Sequence, residues 1–321
     1  MSKVLAIIGT RPQLLKVSKK WANIIINTGQ HYDENMNGVH EPKGIAHNIA
    51  KTQLGEMIEE LIYLIEIEKP TLVAVIGDTR STYAGAIAAK HCGIKLAHIE
   101  AGYRSHTDCI EERYRVAVDR LADLHLCTNE RCMDNLNLEG ISDEVYEVGD
   151  PQFDSLSATT PHTGKKWTNK QKQPYNLLTL HRDEIIDNID KVLDTLDKTG
   201  QKFIWPVHPK LDWVKEKKYE NIEFIDPVAH KELIRLILHA DKVVTDSGGV
   251  QREAYWMGKP LIIIRDVTEH TEIIERGCGV LTGYDTNKIT KEIKEFKLTG
   301  LLDIPLTQSH ERIKAIFESI E

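Results

Sequence analysis

Lys242-Val243-Val244-Thr245-Asp246-Ser247-Gly248-Gly249-Val250-Gln251-Arg252-Glu253-Ala254 reads as a β-branched strand that breaks at Ser-Gly-Gly and passes at once into a helical pattern. A strand, tight turn and helix in this order leave the unpaired N–H groups of a helix N-terminus facing outward, with the positive end of the macrodipole behind them. Gly248 and Gly249 remove the side chains that would hold a phosphate off the backbone. Ser247 is placed to cap the helix, and Glu253, about one turn in, is placed to reach a ribose diol. The stretch predicts a nucleotide diphosphate site at the carboxyl end of a strand. A bare Ser-Gly-Gly is often only a tight turn, so its meaning depends on the units around it.

Those units repeat the same plan. Lys3–Ile8, Asn23–Asn27, Leu72–Ile76, Lys95–Ile99, Leu124–Cys127 and Val145–Val148 read as strands, with helices at Ile49–Glu66, Tyr83–His91, Glu112–Ala122 and Asn129–Leu138. Val4–Ile8 and Leu72–Ile76 are continuously apolar rather than alternating, the pattern of parallel strands covered by helices on both faces. Ser155 to Gln173 is rich in Ser, Thr, Lys, Gly and Pro and reads as a linker. Alternation then resumes with strands at Tyr175–Leu180, Phe203–Val207, Ile222–Ile225, Lys242–Thr245, Leu261–Ile264 and Gly279–Leu281. Helices are expected at Asp187–Lys198, Lys231–Leu238, Val250–Trp256, Glu269–Glu275 and Lys288–Lys297. The expectation is an α/β chain of two Rossmann-like, doubly wound domains facing across a cleft. Their bounds are 1–157 and 174–305, joined by a linker at 158–173 that acts as a hinge. An amphipathic C-terminal helix within 306–321 is placed to pack back on the first domain.

Composition narrows the class. A chain of 321 residues has room for two cores, and 41% hydrophobic with 28% charged residues is ordinary for a globular protein. A net charge of -8 argues against a nucleic-acid partner. The five cysteines, Cys92, Cys109, Cys127, Cys132 and Cys278, are odd in number and scattered, which fits a reducing cytoplasm. No stretch approaches the roughly 18 apolar residues of a membrane span, so a cytoplasmic protein without a membrane partner is expected. Cys127 and Cys132 lack a second ligand pair, and no Gly-x-Gly-x-x-Gly follows the first strand. Neither a metal nor a nicotinamide cofactor is expected.

Polar motifs cluster at the ends of strands. Gly9-Thr10-Arg11-Pro12-Gln13-Leu14-Leu15-Lys16 follows the first, offering Arg11 for bidentate phosphate contact and Lys16 one to two turns on. Asp78 follows Leu72–Ile76, Glu100 follows Lys95–Ile99 in a segment that runs to Arg104, and Glu111-Glu112 opens a helix containing Arg115. Three carboxylates from successive elements of one sheet can converge, and crowded carboxylates suit proton transfer to and from carbon. Each also has a structural reading: Asp78 as a helix cap, and Glu111 as a partner for the helix dipole and for Arg115. In the second half, His181 directly follows a strand and can protonate or hydrogen-bond a departing phosphate oxygen. His208, before Pro209, reads as part of a shaped turn.

In order, Gly9–Lys16, Thr28-Gly29-Gln30-His31, Gly77–Thr82, His98–Ser105, Glu111–Arg115, His181-Arg182, Thr245–Ala254 and Gly258-Lys259-Pro260 resemble the non-hydrolysing UDP-N-acetylglucosamine 2-epimerases, from Gly9 to about Gly283. The resemblance implies the GT-B fold, a UDP-sugar substrate, no cofactor and a homodimer formed through the first domain. It implies that Arg11, Ser247, Gly248 and Gly249 contact the diphosphate, that Glu253 takes the ribose hydroxyls and that His181 lies near the leaving phosphate. Asp78, Glu100 and Glu111 match the family's acidic cluster and Lys16 its first-motif lysine, while Arg104 and Arg115 are counted among the substrate contacts. The implied reaction eliminates UDP to a glycal and adds it back with inversion at sugar carbon 2. Gln13, Ile110, Tyr114, Ile185, Arg252 and His270-Thr271 depart from the pattern, and Tyr114 and Ile185 suggest a reshaped sugar pocket. The competing readings are a hydrolysing 2-epimerase and a UDP-sugar glycosyltransferase of the same fold.

Overall fold

The computed structural model describes residues 3–29, 45–159, 174–300, 302 and 305–320. Gln30-His31 and the 160–173 part of the expected linker lie outside the described residues. Two compact units are present: Met1–Ser155 with Pro305–Glu321, and Leu156–Ile304.

The first unit carries β1 (Val4–Ile8), β2 (Ile24–Asn27), β3 (Ile45–Asn48), β4 (Leu72–Ile76), β5 (Lys95–Ile99), β6 (Leu124–Cys127) and β7 (Val145–Glu147). They form one sheet in the order β3-β2-β1-β4-β5-β6-β7, every neighbouring pair parallel. All five residues of β1 and of β4 are buried. Val4, Ala6 and Ile8 join one apolar cluster and Leu5 and Ile7 another, which is why these strands are continuously apolar. Helix Leu54–Glu68 ends at a left-handed Lys69 immediately before Pro70, and helix Arg80–His91 starts in a capping box built by Thr79 and Thr82.

The second unit carries β8 (Asn176–Thr179), β9 (Phe203–Pro206), β10 (Ile222–Ile225), β11 (Val243–Thr245), β12 (Leu261–Ile263) and β13 (Gly279–Leu281). Their order is β10-β9-β8-β11-β12-β13, again parallel throughout. Strand order therefore reverses between β1 and β4 in one unit and between β8 and β11 in the other. In doubly wound sheets the crevice beyond the strand ends at that reversal is where ligands bind. The motifs at Gly9, Gly77 and Asp246 follow β1, β4 and β11 directly, and His181 follows β8 after one residue.

Local differences from the sequence reading have physical causes. β3 was not expected: it is an edge strand of alternating exposure, Ile-Ala-His-Asn, without an apolar run. It ends just before the stretch Ile49–Glu66 read as a helix, which begins instead at Leu54. Helix Gly248–Trp256 takes both glycines into its first turn rather than starting at Val250. Asp183–Asn188 forms a 3-10 turn ahead of helix Ile189–Lys198, and helix Thr271–Glu275 starts two residues later than expected.

Helix Ser309–Ser319 buries Ile313 and Phe317 in the apolar cluster that contains Trp21, with the Phe317 and Trp21 rings 5.7 Å apart. The Trp21 indole N–H donates to His310 Nδ1 at 3.2 Å, a bond that requires that nitrogen to be unprotonated. Burial holds the His310 ring below the ordinary imidazole range, against the pull of Asp154. Because the fold favours the neutral ring, its contribution to stability is present above about pH 6.5 and is lost as pH falls from there through the depressed value. The thermal midpoint is expected to drop by about 2 °C more in wild type than in His310→Gln between neutral and acidic pH, read by calorimetry.

Candidate active site

At the reversal in the first sheet, two loops are pinned together by one side chain. Gln13 Oε1 accepts from the backbone N–H of Gly9 at 2.8 Å and of Thr10 at 3.1 Å, while its Nε2 donates to the Ile76 carbonyl at 2.6 Å. The same amide nitrogen lies 2.9 Å from the hydroxyls of Thr79 and Thr82. An amide suits this position because one end must accept and the other must donate to a carbonyl, which accounts physically for the Gln13 departure. Gly9 is required by packing: a Cβ there would stand 1.8 Å from Ser81 Oγ.

Glu100 approaches the backbone beside Asp78 at that junction. Glu100 sits in the left-handed region at φ 68°, and its Oε2 approaches to 3.1 Å of where a Cβ on Gly77 would be, one residue from Asp78. Lys16 Nζ donates to Glu100 Oε2 at 2.7 Å, with both side chains under a tenth exposed. Arg115 bridges Asp78 and Glu112, the latter at 2.9 Å. Asp78 is not the helix cap, since Thr79 fills that role. Nor does Glu111 pair with Arg115. That part is taken by Glu112, which also accepts from the Ser105 and His106 backbone N–H groups. Burial pushes the Glu112 carboxyl up, but these donors and the Arg115 charge outweigh it and hold it below the usual range. Glu111 stays half-exposed on the same helix.

Arg104 was expected at the substrate but is committed elsewhere. Its Nε and Nη2 donate to Glu139 at 2.6 and 2.8 Å, and its Nη1 to Asp119 at 2.8 Å and to the Tyr103 carbonyl at 2.7 Å. Burial alone would make this guanidinium easier to deprotonate, and the two carboxylates more than reverse that. Arg11 opens a four-residue helix after β1.

In the second unit the His181 ring lies 3.1 Å through Nδ1 from Asp246 Oδ1. Asp246 Oδ2 also accepts from the backbone N–H of His181 at 2.9 Å and of Arg182 at 3.0 Å. Burial raises the Asp246 carboxyl, but His181 and the two N–H groups bring it below its ordinary value. An ionised Asp246 only accepts, so Nδ1 of His181 carries hydrogen and Nε2 is the nitrogen left for chemistry. The His208 ring lies 5.8 Å from that of His181, and its Nδ1 accepts from the Lys210 N–H at 3.2 Å, as a shaped turn requires.

Ser247 occupies the N-cap position of helix Gly248–Trp256, but its side chain makes no capping bond, contrary to the sequence reading. A Cβ on Gly248 would stand 2.6 Å from Glu269 Oε1. The helix start thus already faces a carboxylate, itself held by Arg265 at 2.8 Å and Arg182 at 4.0 Å. Gly249 completes the open first turn. Glu253 is buried, with Oε1 2.7 Å from His230 Nε2, a partner 23 residues away that sequence spacing could not reveal.

A profile of the UDP-N-acetylglucosamine 2-epimerase family matches residues 15–301. The chain belongs to that family. A Methanococcus maripaludis UDP-N-acetylglucosamine 2-epimerase homolog is 36% identical over 92% of both chains. A Pseudomonas aeruginosa UDP-2,3-diacetamido-2,3-dideoxy-D-glucuronate 2-epimerase is 35% identical over 91% of both. The crystal structure of the Methanocaldococcus jannaschii UDP-GlcNAc 2-epimerase, in complex with UDP-GlcNAc and UDP, is similar with a TM-score of 0.87 at 30% identity. That match covers 98% of this chain and 99% of the other, and gives the two Rossmann-like domains the GT-B fold.

Seen as a 2-epimerase, two departures acquire a place. Ile185 is fully buried in the second unit's apolar core with Leu180 and Ile189, so it does not reshape a sugar pocket. Tyr114 stacks on Tyr83 with ring centroids 4.9 Å apart, on the helix that carries Glu111 and Arg115. Among the described residues no helix is long and apolar enough to cross a membrane.

Proposed function

We propose that this chain interconverts UDP-N-acetylglucosamine and UDP-N-acetylmannosamine without releasing free sugar. The observation that carries the reading is the junction of Asp78, Glu100, Lys16 and Arg115 at the strand-order reversal of the first sheet. A carboxylate of the Asp78, Glu100 and Glu111 set removes the proton from carbon 2. The carbon 1–oxygen bond breaks, a carbon 1–carbon 2 double bond forms, and UDP leaves with the electron pair. UDP then adds back to carbon 1 while a second acid of the set protonates the opposite face of carbon 2. Two faces require two acid–base positions, which a set of three carboxylates can supply.

Departure of UDP needs donors and positive charge. His181, oriented by Asp246, offers Nε2 to a phosphate oxygen, and Arg11, Ser247, Gly248 and Gly249 offer a guanidinium and a helix N-terminus. Glu253 is assigned to the ribose hydroxyls, and a homodimer working in the cytoplasm completes the reading.

Proton NMR of the purified chain with UDP-N-acetylglucosamine in heavy water tests it. The expected product is a manno sugar still attached to UDP, with deuterium at carbon 2. Free sugar with UDP would favour the hydrolysing variant. Turnover of UDP-2,3-diacetamido-2,3-dideoxyglucuronate alone would keep the chemistry and change the sugar. Turnover that appears only with an added acceptor would favour glycosyl transfer and overturn the proposal.

A further inference from the structure

Beneath the Asp78–Glu100 junction lies a buried pair that the reaction scheme does not use. His98 and Asp119 have no exposed side-chain surface, and Nδ1 of His98 lies 2.6 Å from Asp119 Oδ1. The other ring nitrogen, Nε2, lies 2.8 Å from the Gly77 carbonyl oxygen. A carbonyl oxygen only accepts, so Nε2 carries hydrogen. Asp119 is fully buried; its carboxyl is pushed up by burial but brought below its ordinary value by His98 and Arg104, so it too only accepts. Both ring nitrogens of His98 therefore face acceptors.

His125 provides a contrast on the same sheet face. It is the register partner of His98 on β6, and its Nε2 donates to the Asp119 carbonyl at 2.8 Å. Its buried Nδ1 has no hydrogen-bond partner among the described residues, so only one of its ring nitrogens is engaged. Asp119 Oδ2 meanwhile accepts from Arg104 at 2.8 Å and from the Gly102 N–H at 3.3 Å, and Arg104 is shared with Glu139. The charged groups facing His98 directly or through Asp119 are thus Asp119, Arg104 and, beyond Arg104, Glu139.

We propose that His98 is a positioning residue that donates from both ring nitrogens, to Asp119 and to the Gly77 carbonyl, fixing the two backbone corners that carry Asp78 and Glu100. The corners need holding. Gly77, Glu100 and Gly102 take φ values of 66°, 68° and 83°, and the left-handed region is unfavourable for a residue with a Cβ such as Glu100. His98 anchors the Gly77 end, next to Asp78, and Asp119 anchors the Gly102 end, so Glu100 is flanked by two bonds to one buried pair. Losing that pair alters the separation of the two carboxylates, which affects the chemical step more than substrate binding.

The inference rests on the proposed epimerisation only for its kinetic arm. The first arm is proton–nitrogen NMR of the full chain with nitrogen-15 histidine at neutral pH. One imidazole is expected to show two protected ring N–H resonances that survive His125→Gln and disappear in Asp119→Asn. A single N–H on every buried ring would overturn the proposal, whatever the chain catalyses. In the second arm, His98→Gln and Asp119→Asn are expected to lower kcat by about 10-fold to 100-fold with KM changed less than about 3-fold. An unchanged kcat in a folded variant would overturn the positioning role. Absence of turnover in the unsubstituted chain would count against the epimerase reading instead, and leave the NMR arm to decide this one.

Discussion

Glutamine in place of Glu100 is expected to reduce kcat by about 10²-fold to 10⁴-fold, the range lost when a positioned acid–base group is removed. The side chain is buried, paired with Lys16 at 2.7 Å and set in a left-handed corner against Gly77. An amide keeps the shape and can still accept from Lys16, but it can no longer take or give the carbon-bound proton. Thermal stability should therefore change much less than rate. Glu100→Gln combined with Lys16→Met removes the buried cation as well, and should recover stability without recovering activity. Wild-type kcat in folded Glu100→Gln would remove Glu100 from the chemistry and leave Asp78 and Glu111 as the acid–base pair.

Asparagine in place of Asp246 is expected to lower kcat by about 10²-fold to 10³-fold by changing what His181 presents. In wild type Asp246 accepts from the His181 ring and from two backbone N–H groups. The substituted amide can satisfy the backbone donors with its oxygen, which turns its NH2 toward Nδ1 of His181. The ring then accepts at Nδ1, so its remaining hydrogen sits on Nε2 and the Nδ1–carboxylate pairing is lost. His181→Asn should cost a similar factor, and the double variant little more than either alone, because the two side chains act as one unit. Additive losses in a steady-state double-mutant cycle would show instead that Asp246 serves the fold and His181 acts independently. A stability loss of about 1–3 kcal/mol in Asp246→Asn is expected from the rearranged buried bonds.

The fold was readable because its determinants are local. Val4–Ile8 and Leu72–Ile76 must be apolar on both faces to lie at the centre of a parallel sheet, and each is followed by a Gly-containing turn into a helix. β3 escaped because an edge strand needs only one covered face, and Ile45-Ala46-His47-Asn48 carries a half-exposed pattern. The site was readable in outline for a related reason: motifs at strand ends are forced to one side of a parallel sheet. What the sequence could not decide was pairing. Glu111 and Glu112 are neighbours in the chain, yet about 100° of helical turn separates them and only Glu112 reaches Arg115. Arg104 follows Glu100 closely but turns inward to Asp119 and Glu139. His181 and Asp246, like His230 and Glu253, meet only because β8 lies beside β11 or because two helices pack, which no local spacing encodes.

Departure and return of UDP during epimerisation can be followed by positional isotope exchange. UDP-N-acetylglucosamine carrying oxygen-18 between carbon 1 and the β-phosphorus would be incubated with the chain and recovered. Part of the label is expected to move to non-bridging β-phosphate positions, since the free diphosphate rotates before it adds back. Complete retention of the label in the bridge, alongside formation of the manno isomer, would contradict elimination and require inversion at carbon 2 with the carbon 1–oxygen bond intact.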